Sequence, residues 1–209
     1  MGSAVAAREH WDQTDLARIV RASATLGLIE TALVAVFAVV SKFLEGPIEL
    51  ALEAAIVAAG LAAVTVLPGR WTNARTIEGI AGAAGIGLGA ATVFLLLDVA
   101  LLQPLGAYGN RWWQIGGGSN WWYHPVWWMV GTFLPWMGAQ VFASQVRRGG
   151  TVSVGRLLVL AAILTVLCGV AGVVIGVPYA GWTLGTFAVA YLPGLALTAL
   201  ITALGGRRA

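Results

Sequence analysis

Six stretches of this sequence, each nearly free of charge, are long enough to cross a bilayer as helices: residues 22–41, 48–67, 77–102, 126–146, 157–177 and 182–204. A spanning helix needs about 20 mainly apolar residues, because the hydrocarbon core is about 30 Å thick and a helix rises about 1.5 Å per residue. These runs are apolar on every side, whereas barrel strands would alternate apolar and polar residues. Punctuation separates them. Pro47 stands at a helix start, where its missing N–H costs nothing, and Pro68-Gly69, Gln103-Pro104, Gly149-Gly150 and Pro178 close successive runs. The fold class that follows is an all-α integral membrane protein with six transmembrane helices in one polytopic domain, 1–209. Residues 1–21 form a cytoplasmic segment, 103–125 a long outer loop between helices 3 and 4, and 205–209 a cytoplasmic tail.

Composition supports this. Apolar residues make up 59% of the chain and charged residues 10%, against about 25% charged in an ordinary soluble domain. Disordered chains are polar and charged, so disorder is excluded. A single cysteine excludes a disulfide-stapled module. The net charge of +3 gives no basic stripe of the kind that binds nucleic acid, and no nucleic-acid partner is expected. The cations instead mark the sides of the membrane. Arg8, Arg18, Arg21, Arg70, Arg75, Arg147, Arg148, Arg156, Arg207 and Arg208 fall on one side, and only Lys42 and Arg111 on the other. By the positive-inside rule the arginine-rich side is cytoplasmic, which places both termini inside and the protein in the cytoplasmic (inner) membrane. The polar stretch 1–21, followed by an apolar run without a small-residue cleavage site, is not expected to be a signal peptide.

Lipid gives helices no hydrophobic reason to associate, so small residues are the natural contact points. Ala81, Gly85 and Gly89 recur at four-residue spacing in span three, and Cys168, Gly172 and Gly176 in span five; Gly181 and Gly185 open span six. Spans three and five are therefore expected to be central, with Cys168 a packing residue. The run Gly85-Ile86-Gly87-Leu88-Gly89-Ala90 matches a dinucleotide-binding pattern, but it lies inside an apolar helix with no preceding strand and reads as packing. Pro135 and Pro193 are expected to kink their helices.

Ionisable residues within spans cost about 2.5–3.5 kcal/mol each at the centre and need a reason. Glu30 is the deepest. Glu53 and Asp98 lie at matching depth below the outer boundary on consecutive helices. Each of the three is a candidate proton or cation site. Glu49 and Glu78 begin helices, where a carboxylate suits the dipole. His10 and His124 are too few and too distant for a buried bis-histidine cofactor, and no metal-ligand spacing or catalytic triad pattern is present; no cofactor, metal or catalytic residue is expected.

The loop 103–125 is longer than the other outer loops, and seven of the ten tryptophans fall between Trp112 and Trp136. Such a concentration fits an interfacial aromatic belt. It equally fits a vestibule in which Trp112, Trp113, Trp121 and Trp122 cap Glu53 and Asp98, with Arg111 and His124 at the mouth; indole faces beside carboxylates suit an organic cation. Three functions remain open: binding or transport of a small solute or lipophilic ligand, a non-catalytic subunit beside other membrane proteins, or a lipid-acting enzyme. The first is preferred, and the absence of catalytic patterns argues against the third. A reporter active only in the cytoplasm, fused after Ala209, is expected to be active; activity of a periplasmic reporter at that position would overturn the topology.

Overall fold

The structure, a computed structural model, describes residues 15–108, 123–147 and 149–205. The described residues contain helices and no strand. Helix α1 spans Leu16–Phe43, α2 Pro47–Trp71, α3 Ile77–Leu97, α4 Tyr123–Arg147, α5 Val154–Val174 and α6 Leu184–Leu204; α3 continues as a wider π-helical turn over Asp98–Leu102.

Local chemistry sets the starts. Asp15, Thr76, Ser153 and Thr183 each accept a backbone N–H from the first turn of the helix they precede, satisfying donors that have no intrahelical partner. Pro47 opens α2 after Gly46, whose φ of 79° a side chain would disfavour. The α4–α5 connection is clamped by one amide. Gln145 Nε2 donates to the Ser153 carbonyl at 3.2 Å, and Ser153 N donates to Gln145 Oε1 at 2.7 Å.

α1, α2, α3 with its π turn, α5 and α6 are long and apolar enough to cross a membrane. α4 is equally long, at 25 residues, but carries His124, Gln140, Ser144 and Gln145 among its tryptophans. It nevertheless lies within the bundle, packed against α2, α3 and α6, while α3 also holds α1. The largest core cluster includes Leu26, Ile86, Leu134, Phe142, Leu157 and Leu195.

Two expectations about packing are corrected. Span five is peripheral: α5 packs chiefly on α6 and reaches the common core with Leu157 and Ala161. The register of small residues is also shifted. A Cβ on Gly85 would meet nothing within 4 Å, and Gly172, Gly176, Gly181 and Gly185 likewise have no tight neighbour. Of the expected glycines only Gly89 makes a close approach, and the other close approaches lie off those stripes. A Cβ on Gly87 would lie 2.0 Å from the Gly131 carbonyl oxygen of α4, and one on Gly138 would lie 2.0 Å from the Thr65 carbonyl oxygen of α2. Gly194 meets Thr165 and Gly169 meets Phe187, joining α5 to α6; Gly27 meets Ala90 and Val93, and Gly89 meets Ser23, joining α1 to α3. Four-residue spacing defines two interleaved stripes on a helix, and only a partner surface selects between them.

Pro68 also differs from expectation. α2 does not end at Pro68 but runs through it to Trp71. Pro68 is buried, and its carbonyl accepts from both Thr72 N and Thr72 Oγ1. Pro135 lies inside α4, where its ring removes the N–H that would bond the Gly131 carbonyl. That freed oxygen is the atom facing Gly87, at a position suited to a Cα–H donor. Gly87→Ala is therefore expected to cost about 1–3 kcal/mol through overpacking, while Gly85→Ala is expected to be neutral or slightly stabilising. Thermal unfolding midpoints in one detergent compare them, and equal midpoints would refute this packing.

Candidate functional site

The C-terminal end of α3 is shaped by Pro104. Lacking an N–H and carrying a ring that crowds the carbonyl four residues back, it prevents the α-helical ladder from continuing. The chain widens instead, and Gln103 N donates to the Asp98 carbonyl at 2.9 Å. Asp98 is the first residue of this π turn and is fully buried. Gln103 Nε2 donates to Asp98 Oδ2 at 2.6 Å, and the Tyr108 hydroxyl donates to Oδ1. Both carboxylate oxygens are thus engaged by the ten residues that follow, and the side chain ties the descending chain to the helix end.

The surroundings of this turn are packed. Phe94, Leu95 and Leu102 form a cluster with Val34, Ala35, Ala107, Tyr108 and Trp127 against it. The Phe94 and Trp127 rings lie 4.7 Å apart, tilted by 47°, within the range of favourable aromatic pairs. The sequence does not announce Gln103 and Tyr108 as companions of Asp98. An acid five residues before a Gln-Pro pair was the available signal.

Glu53, half-buried on α2, and His124, half-buried at the start of α4, each hold an interaction of their own. Lys42, at the end of α1, lies over the Phe43 ring at 5.9 Å. Arg111, Trp112, Trp113, Trp121 and Trp122 lie outside the described residues.

Glu30 is placed differently. It is 14 residues from Leu16 and 13 from Phe43, the ends of α1, about 20 Å from either. It is 8% exposed, and its Oε2 is buried without a hydrogen-bond partner among the described residues. Leu26, one turn earlier on the same face, is fully enclosed in the central core with Ile86, Ala90 and Leu134. A buried acceptor left unmade costs about 1–3 kcal/mol, so Glu30 weakens the bundle rather than fastening it. Among the described residues no three His, Cys, Asp or Glu side chains converge as a metal set.

Two hollows stand out among the described residues, and neither is lined by Glu30, Glu53, Asp98 or His124. One, of about 190 Å³, lies between the α2–α3 turn and the start of α5, with Arg70, Asn73 and Arg75 on its wall. The other, of about 410 Å³, lies between α3 and α4. Both are at the arginine-rich end. No protein family, curated protein or solved structure matches the chain.

Tyr108→Phe is expected to lower stability by about 1–3 kcal/mol, since it strands Asp98 Oδ1 in a buried site. Denaturation in detergent measures this. An unchanged midpoint would show that the Tyr108–Asp98 bond does not hold the turn.

Proposed function

We propose that this protein is a six-span protein of the cytoplasmic membrane, with both termini inside, that binds or transports a small solute. Glu30 serves as its intramembrane proton-carrying group. The observation that carries this reading is the buried Glu30 near the middle of α1, whose Oε2 has no hydrogen-bond partner among the described residues. An ionisable group at mid-membrane is retained against a cost of about 2.5–3.5 kcal/mol. A purely structural acid would recover that cost through partners, as Asp98 does through Gln103 and Tyr108. A proton needs no coordination shell, whereas Ca²⁺ needs about six to eight oxygens; a lone carboxyl suits the proton.

The sixth span is α4. Its packing against α2, α3 and α6 argues for the same membrane depth, and an even number of spans agrees with arginines at both ends of the sequence. Glu53 and the tryptophan-rich segment 103–125 belong to the same reading as the solute's outer approach, whereas Asp98 is held by Gln103 and Tyr108. The alternative, a non-catalytic subunit of a larger assembly, draws on the peripheral α5, which leaves most of its surface uncovered by the rest of the chain.

Mass spectrometry of protein purified in mild detergent, small molecules included, separates the two. A retained small molecule that raises the unfolding midpoint supports the solute reading; fixed partner proteins with no small molecule would replace it. Glu30→Leu is expected to raise stability by about 1–3 kcal/mol, by removing an unsatisfied acceptor, and to abolish solute-driven pH change in vesicles. A variant as active as the parent would exclude Glu30 from the mechanism.

A further inference from the structure

The hollow between α3 and α4 has the form of a groove with one charged end. Ile77, Ala81 and Ala84 of α3 face Trp136, Gln140 and Arg147 of α4 across about 410 Å³. Thr132 marks its other limit on α4, 15 residues from Arg147, which is about 22 Å along the helix. The α3 wall is low at Ala81 and Ala84, beyond Ile77 and Ile80, and next to it Gly85 adds no side chain and meets only open space. The groove opens outward rather than into the bundle: Ile77 is 76% exposed and Trp136 is 43% exposed.

Among the described residues, Arg147 is the sole charged residue on the wall. Side chains on a helix lean toward its N-terminus, so Arg147, in the last turn of α4, leans back over the groove. Its guanidinium has no ion pair and Gln140 no side-chain hydrogen bond among the described residues. Glu78, one residue beyond Ile77, does not line the groove. An elongated apolar trough with a free guanidinium at one end and an amide part-way along complements an amphiphile with an anionic head. A neutral solute would leave the arginine unused, and a zwitterionic head would bring a cation next to it.

We propose that this groove is a binding site for an anionic glycerophospholipid. Its phosphate pairs with Arg147 and an acyl chain lies along Ala81, Ala84 and Trp136. Basic pockets between transmembrane helices on the cytoplasmic side are suited to such headgroups. The inference needs only the membrane placement of α3 and α4 and is independent of any role for Glu30.

The test reconstitutes the full chain into phosphatidylcholine vesicles containing a minor fraction of acyl-brominated lipid, either phosphatidylglycerol or phosphatidylcholine. Bromine quenches tryptophan on contact, and subtracting the same measurement on Trp136→Phe isolates the groove. Brominated phosphatidylglycerol is expected to occupy the site about fivefold more readily than brominated phosphatidylcholine, one arginine's share of headgroup attraction. Arg147→Gln is expected to remove that preference while leaving quenching by both lipids. Ala84→Phe, which fills the trough and keeps the arginine, is expected to remove quenching of Trp136 by both. Equal quenching by the two lipids in the parent would overturn the proposal, as would a preference that survives Arg147→Gln. No quenching of Trp136 by either lipid would also overturn it, because a protein surface such as a second copy would then fill the groove.

Discussion

The contact between α3 and α4 at Gly87 and Gly131 is the constraint on which the rest of the bundle rests. Lipid tails are as apolar as leucine, so burying leucine between helices gains little over leaving it in lipid. What remains is closeness of approach. Gly87 has no room for a Cβ beside the Gly131 carbonyl, and that carbonyl is available because Pro135 has no N–H to give it. With α3 and α4 joined there, α1 lies on α3 through Gly27 and through Ser23, whose hydroxyl donates to the Ile86 carbonyl at 3.2 Å. α2 lies on α4 where Gly138 meets Thr65. Thr65 in turn shares a 3.0 Å hydrogen bond with the Tyr191 hydroxyl, linking α2 to α6. Each helix is held by a short polar or glycine contact and only filled in by aliphatic side chains.

The same economy separates the buried acids. Asp98 is fully buried, yet it is the most thoroughly satisfied, because the π turn brings Gln103 and Tyr108 around it. It shapes the C-terminal end of α3. Glu30 has one oxygen with no partner and sits where α1 enters the central core. Other polar groups in the bundle avoid that cost by bonding back within their own helix, as Thr31 does to Gly27 and Thr198 to Gly194. An ionised glutamate has only acceptors to offer, so it cannot bond a carbonyl of its own helix as those hydroxyls do.

Charge works at the surface by a different rule. Arg18 donates to the Trp71 carbonyl and so ties the start of α1 to the end of α2. Arg70 and Arg75 border one hollow and Arg147 the other. Cations that read in the sequence only as a mark of sidedness thus also line two recesses. Trp136, counted in the sequence with the aromatic belt, lies on a groove wall; the helix to which it belongs sets that, not its residue type.

The sequence by itself determined the class and the number of helices, because the apolar runs and their Pro and Gly boundaries are local properties. It also marked Glu30, Glu53 and Asp98 as residues that need explaining, since a transfer cost depends on residue type and depth alone. It did not determine which glycines touch, that α5 is peripheral, or that α2 continues past Pro68 to Trp71. Nor did it separate Asp98 from Glu30. Those outcomes depend on what stands opposite each side chain, and a nearly all-apolar helix has no polar face to announce its partner. Only the tertiary structure, by setting Gly131 against Gly87 and Tyr108 against Asp98, decided which small residue is a contact and which acid is left unpaired.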